Sequence, residues 1–411
     1  MLWDKKGFII RSLLEVDAYK LTMLAFIWRF YPRLRVRFGF HNRHHTRVPL
    51  GRVISLPKLR EELEYVKGLT FTADEIVYLR SWGIFPDAFL QFLPTLRLAD
   101  IAVRKGEDDA LVIETEGLWL HTTLWETIVL AIVSELYARY ALASNAMHEE
   151  YVYHELFGNA NAKIEQLKQS PPMQILQFGL RRRFSRKWER AVTKLFLDND
   201  MPFAGISNVA LARELCVEAK GTNAHELPMA LTALAHRSDE AMRQAQYDVL
   251  RKWKRMYGRK LLIALPDTFG SAQFLERMPQ NLAESYKGFR QDSGDPKQFA
   301  DRLLAFYQKR GIDPRDKMII FSDGLTVPVM RELYNQYHDR FGTVAFGWGT
   351  NLTNDGPITP LSLVMKLQEA AGNPAVKLSD NIAKATGPAE AIEEYKRVFG
   401  YADRFVEEPV Y

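Results

Sequence analysis

Apolar residues recur at helical spacing over residues 12–30 (Leu13, Leu14, Leu21, Leu24, Ile27), which predicts a helix that also carries Asp17, Tyr19 and Lys20. Residues 35–42, Arg-Val-Arg-Phe-Gly-Phe-His-Asn, alternate polar and apolar as a half-buried strand does. Helical spacing returns over 58–68, and two short strand-like runs within 96–116 flank the acidic turn of Glu107, Asp108 and Asp109. A long helix is predicted over 125–153. Its most apolar part, 124–143, is interrupted by Glu126, Glu135 and Arg139. A membrane-spanning helix needs roughly 20 predominantly apolar residues, so a buried helix is expected and no membrane partner. Residues 1–150 therefore predict an α+β domain.

From about residue 174 the rhythm changes. Short apolar runs at 173–178, 203–206, 261–265, 288–290, 318–321, 343–347 and 362–367 alternate with helical stretches. Two of those stretches are long, 181–197 opening on a basic run and 226–256. Such alternation implies parallel β/α units with right-handed crossovers, and a closed or nearly closed α/β barrel over 151–370 uses this many most simply. Residues 371–411 form a C-terminal extension with a helix over 389–399, expected to fold back on the N-terminal domain.

Composition narrows the class only slightly. Of 411 residues, 47% are hydrophobic and 26% charged, which are ordinary globular values. The net charge of +5 suits an anionic small substrate as well as a nucleic acid. The run Arg181-Arg182-Arg183 has no aromatic-interleaved basic stripe beside it, so nucleic acid is not the expected partner. Cys216 is the only cysteine, which excludes an intrachain disulfide and fits a reducing compartment. Lys5 and Lys6 precede no apolar signal region, and a cytoplasmic protein is expected.

Chemistry collects where parallel β/α folds place their sites, after the strands. Six consecutive strand ends carry Gly, Ser, Thr, Asp or Arg: Gly179 with Arg181, Ser207 with Asn208, Asp267 with Thr268, Arg290 with Asp292, Ser322 with Asp323 and Gly324, and Gly347 with Gly349 and Thr350. One polar loop says little, but six suggest a phosphate-binding rim of inward backbone N–H groups, with aspartates for ribose hydroxyls or Mg²⁺. The stretch Gly288-Phe289-Arg290-Gln291-Asp292-Ser293-Gly294-Asp295-Pro296 is, by itself, a good turn sequence. His225 follows Thr222 and Asn223 into a helix, where either could act as cap, or it could accept a phosphoryl group beside the rim. The triplet His41, His44 and His45 lacks carboxylate or cysteine companions at ligand spacing, and His148 and His154 are six apart rather than four. Neither set is expected to bind metal.

The ordered set Asp17-Ala18-Tyr19-Lys20, Phe178-Gly179-Leu180-Arg181, Gly205-Ile206-Ser207-Asn208, Gly221-Thr222-Asn223-Ala224-His225-Glu226, Asp267-Thr268-Phe269-Gly270-Ser271, Gly288 to Asp295 and Gly347-Trp348-Gly349-Thr350-Asn351 closely resembles the nicotinate phosphoribosyltransferase family. The resemblance implies a type II phosphoribosyltransferase fold, an irregular α/β barrel with an N-terminal α+β domain, working as a homodimer. It implies that nicotinate and phosphoribosyl pyrophosphate give nicotinate mononucleotide and pyrophosphate, with Mg²⁺ and with ATP hydrolysed through a phosphohistidine at the position of His225. Tyr19, donated across the dimer interface, and Phe178 would stack the pyridine, and Arg290 would face its carboxylate. Arg181, Gly324, Gly347, Gly349 and Thr350 would cradle phosphates, while Asp267, Asp292 and Asp323 would serve ribose and Mg²⁺. Nicotinamide-using relatives carry a carboxylate near Ser207, and its absence here favours the acid over the amide. The alternatives are that amide transfer and a catalytically idle nucleotide-binding relative.

Overall fold

The computed structural model describes residues 2–4, 7–201, 203–402 and 406, so Lys5 and Lys6 lie outside the described residues. Two sheets organise the chain. β1 (Arg35–Asn42), β2 (Ile101–Lys105) and β3 (Leu111–Leu118) belong to the first. β4 (Gln174–Gln177), β5 (Gly205–Ile206), β6 (Ile263–Ala264), β7 (Gly288–Gln291), β8 (Met318–Phe321) and β9 (Thr343–Trp348) make the second, all parallel, in the order β5-β4-β9-β8-β7-β6. This sheet curls into a half-barrel whose two edges are its shortest strands, β5 and β6.

The last run read as a barrel strand, 362–367, is instead β10 (Leu363–Ala370), which pairs antiparallel with β1. β11 (Asn373–Pro374) follows it, and the first sheet runs β11-β10-β1-β3-β2. Residues late in the chain thus complete the sheet begun by the N-terminal domain. The start of the C-terminal extension does return to that domain through β11, and the Arg43 guanidinium donates to Lys384 O at 3.1 Å. Its helix, Ala389–Phe399, packs on the barrel instead, with Phe399 stacked on Phe269 at 4.2 Å and Arg243 Nε donating to Val398 O at 2.8 Å.

Two predicted long helices are broken. The stretch 125–153 ends its first helix, Trp125–Ser144, at Ala146 with φ +49, and a second, Glu149–Lys168, begins after it. The stretch 226–256 divides into Glu226–Leu234 and Asp239–Tyr257, the second capped by Ser238, whose Oγ accepts from Ala241 N. Periodicity continues across both breaks because each pair of helices faces the same core. As expected, Trp125–Ser144 is a buried helix: Ile128, Val129 and Ile132 are in the core, and Glu135 is paired with Arg139 at 2.5 Å.

Where β7 meets β8, Gly288 lies so close to its neighbour that a Cβ would stand 1.9 Å from Met318 O. Gly288→Ala is expected to destabilise the fold by about 1–3 kcal/mol, the usual cost of overpacking a tight core, as read by a lowered thermal midpoint.

Candidate active site

The C-terminal ends of the half-barrel strands converge as predicted. His225, Arg290, Asp292, Asp323, Gly324, Gly347, Gly349 and Thr350 line one pocket with Tyr19, Phe178 and Arg181. A larger cavity of about 1030 Å³ runs from this pocket through the half-barrel toward the N-terminal strand ends, past Gln174, Ile263 and Met318. Tyr19, Phe178, Arg181 and Arg290 line both spaces and so mark the boundary between them. Ser207 opens only onto the larger cavity.

Local sequence explains much of this geometry. β7 delivers Arg290 and Asp292 3.6 Å apart, and the loop after it ends at Asp295. Asp295 is a helix cap, accepting from Lys297 N and Gln298 N at 2.8 and 2.9 Å, with Pro296 opening the helix Pro296–Lys309. Ser293 is buried and donates to Asp267 Oδ2 at 2.6 Å, tying this loop to the one after β6. Gly324 takes a left-handed φ of +60 that suits glycine. Gly347, expected to cradle phosphate, makes room for a neighbour: a Cβ there would lie 2.5 Å from the Phe178 ring.

His225 is the most constrained group. It stands at the start of helix Glu226–Leu234, and neither Thr222 nor Asn223 caps that helix; Asn223 Nδ2 donates instead to Ile263 O at 3.2 Å. His225 Nδ1 lies 3.0 Å from Thr268 Oγ1, while Nε2 lies 3.0 Å from both Asp292 Oδ2 and Lys377 Nζ. Burial, with the Lys377 ammonium adding to it, lowers the imidazole pKa to about 4, against the opposing pull of Asp267 and Asp292. The ring is therefore neutral at physiological pH. Burial raises the Asp292 carboxyl, but Arg290 and His225 outweigh it and hold that group well below the usual range.

Lys377 and Lys384 are the site residues that sequence reasoning placed only in the tail. Lys384 Nζ sits 2.6 Å from both oxygens of Asp323, and Lys377 Nζ is 3.6 Å from Asp267 Oδ2. Their segment is closed by a bridge between Lys377 and Thr386 and pinned where Ser379 Oγ donates to Ser293 Oγ at 2.8 Å. The pattern of two lysines with a serine between them, after the last strand, was the available signal.

Asp267 lies behind the pocket wall, 1% exposed. Its Oδ1 has no hydrogen-bond partner among the described residues. The ligand atoms of His225, Asp267 and Asp292 lie within 4.8 Å of one another. An orphaned buried carboxylate oxygen beside a second carboxylate is a donor set that fits a hard cation such as Mg²⁺.

Tyr19 reaches the pocket from its own chain, which corrects the expectation of a ring donated across a dimer interface. The reason is the anchoring of the preceding residues to the barrel. Ala18 N donates to Ser207 O at 2.7 Å, Ser207 Oγ donates to Asp17, and Arg181 Nε stands 3.2 Å from Asp17 Oδ2. The Arg181 guanidinium is 5.9 Å from the centre of the Tyr19 ring. Ser207 thus acts as an anchor for Asp17.

A family model described as the nicotinate phosphoribosyltransferase (NAPRTase) family matches residues 173–403, and one described as its N-terminal domain matches 14–134. Among solved structures, the nicotinate phosphoribosyltransferase of Vibrio cholerae is 32% identical with a TM-score of 0.88, covering 98% of this chain and 96% of that one. That of Porphyromonas gingivalis is 30% identical with a TM-score of 0.86, over 96% of this chain and all (100%) of the other. A putative nicotinate phosphoribosyltransferase of Saccharomyces cerevisiae is 27% identical with a TM-score of 0.86, over 97% and 100%.

Removing the Lys377 ammonium takes away one of the two causes that depress the His225 pKa. In Lys377→Met the imidazole is expected to titrate at higher pH than in the parent, measured by the pH dependence of its NMR ring signals.

Proposed function

The chain belongs to the nicotinate phosphoribosyltransferase family, and from that membership we propose that it transfers the phosphoribosyl group to nicotinate, with ATP hydrolysis coupled through His225. The observation that carries this reading is the position of Arg290, which lines both the aromatic-walled cavity and the polar rim around His225. An aromatic acid placed at that boundary would meet a guanidinium fork for its carboxylate, with its ring against Phe178 and Tyr19.

In the transfer, the pyridine nitrogen lone pair forms a bond to the ribosyl anomeric carbon while the bond from that carbon to pyrophosphate oxygen breaks. The electron pair leaves with pyrophosphate. The nitrogen carries no proton to lose, so Asp292 has no work as a general base. Phe178, Tyr19 and Arg290 orient the ring for in-line attack, which is where positioning contributes to the rate. Gly324, Gly349 and Thr350 face the phosphates, with Lys377 and Lys384 as the cations beside them. Asp323 and Asp292 serve the ribose side. Asp267 and Asp292 would hold Mg²⁺, which when bound supplies positive charge to the departing pyrophosphate oxygens.

For the ATP half, a neutral imidazole is the nucleophilic form. An imidazole nitrogen of His225 forms a bond to the γ-phosphorus as the bridging P–O bond breaks and ADP leaves; water later cleaves the P–N bond and releases phosphate. Lys377, already beside Nε2, offsets the charge that arrives. The family resemblance still supports a homodimer, with Tyr19 serving the site of its own chain.

Arg290→Ala is expected to raise the nicotinate KM about 10- to 100-fold, the value of a charge-assisted hydrogen-bonded contact, in steady-state assays with labelled nicotinate. An unchanged KM would mean that another group reads the carboxylate. In His225→Ala, acid-labile phosphate labelling from ATP and the stimulation by ATP should vanish while some ATP-independent transfer persists. Because the imidazole pKa is lowered to about 4, it stays unprotonated as pH falls through the ordinary histidine range. The labelling rate of the parent should accordingly show no loss between about pH 8 and about pH 5 from this group.

A further inference from the structure

Directly after the stacking residue Tyr19 comes Lys20, and directly after His225 comes Glu226. The proposed reaction gives neither a role, yet both are buried, Lys20 completely. Lys20 Nζ lies 2.5 Å from Glu226 Oε2 and 2.6 Å from Glu126 Oε2. The other oxygen of Glu226 accepts from Trp119 Nε1 at 2.5 Å and from Thr123 Oγ1 at 2.6 Å. Each polar atom of the pair therefore has a fixed partner, and Glu126 is further balanced by Lys366 at 3.5 Å.

The pair is one point of a longer seam. Thr22 Oγ1 donates to Thr222 O at 2.6 Å, and Gly221 comes so close to the helix start that a Cβ would stand 2.6 Å from Tyr19 N. The loop 221–226 is thus laid along the first turns of helix Ala18–Phe30 at three successive places. A buried ion pair is weak as a source of net stability, because desolvation offsets most of the attraction. Geometry is what it supplies: the ammonium can satisfy both carboxylates only where the helix and the loop stand in this one relation.

We propose that Lys20 is a positioning residue which, through Glu226, holds the Tyr19 ring and the His225 imidazole in fixed relation. It touches no substrate itself. The consequence is that the nicotinate end and the phosphoryl-accepting end of the site share one internal brace, so loosening it should affect both half-reactions together. This rests on Tyr19 stacking the pyridine and His225 accepting the phosphoryl group.

The test is the double variant Lys20→Met with Glu226→Gln, which removes both charges, keeps the length of the Glu226 side chain and most of that of Lys20, and leaves Glu126 paired with Lys366. With folding checked by circular dichroism and thermal melting, nicotinate kcat/KM should fall on the order of 10- to 100-fold, the effect of a small misplacement of reacting groups. In the same variant, the ATP hydrolysed per mononucleotide formed should rise above the parent's ratio. A purely structural pair would lower the melting temperature and move neither quantity. A folded double variant with the parent's nicotinate kcat/KM and ATP ratio would overturn the proposal. Should that variant not fold, Lys20→Arg keeps the charge while changing its reach. It should then show a raised KM and a raised ATP ratio at a near-parental melting temperature, and parental values for both would equally overturn it. If the parent itself shows neither nicotinate turnover nor ATP-dependent labelling, the underlying reading has failed rather than the brace.

Discussion

Charge balance in a buried space is the constraint on which this site depends. Asp267, Asp292 and Asp323 stand on three neighbouring loops, and each is at least partly removed from water. Unpaired, each carboxylate would cost several kcal/mol, roughly what breaking one buried ion pair costs. Lys377, Lys384 and Arg290 answer them, and two of those three cations come from a segment beyond the last strand. The half-barrel therefore cannot present its site until the end of the chain has crossed it. The groups that balance the aspartates in the free protein are also those an incoming phosphate or carboxylate would seek, so folding and binding draw on one set of charges.

The half-barrel architecture separates two chemistries that must meet at one bond. Apolar strand faces and the ring of Phe178 make one side, and loops with exposed backbone and cations make the other. Phe178 can lie at the boundary only because Gly347 opposite it has no side chain. Arg181 reaches across, binding Asp17 while its guanidinium lies over the Tyr19 ring. The N-terminal helix is thereby part of the site's wall and not an appendage to it.

Fixing His225 between Asp292, Lys377 and Thr268 has a chemical effect as well as a geometric one. A histidine beside two carboxylates would ordinarily be drawn toward its charged form. Burial and a neighbouring ammonium reverse that tendency and leave a lone pair available. Against its burial, the Asp292 carboxyl is held well below the usual range by Arg290, with His225 and Lys377 adding to it, so one arrangement accommodates both the proposed cation-binding role and the proposed nucleophilic one.

Much of this was legible in the residues. The parallel β/α rhythm after residue 174 and the polar strand ends placed Arg290, Asp292, Asp323 and the glycine loops on one rim, because local hydrophobic periodicity and turn chemistry decide where strands end, while His225 joined them only through the family resemblance of the ordered motifs. Asp295 was legible only as part of a turn, and the structure makes it a helix cap in front of a proline. What the sequence could not determine was set by partners distant in the chain. Periodicity is blind to which sheet a strand joins, so β10 was read into the barrel although β1 is its neighbour. It is equally blind to helix breaks that leave the buried face unchanged, as at Ala146 and Ser238. Lys377 and Lys384 carry no local signal beyond two lysines flanking a serine, and only the crossing of the C-terminal segment puts them 3.0 Å from His225 and 2.6 Å from Asp323. Whether Tyr19 serves its own site was likewise decided by tertiary contacts, since Asp17, Ser207 and Arg181 must first meet to hold the helix start against the barrel.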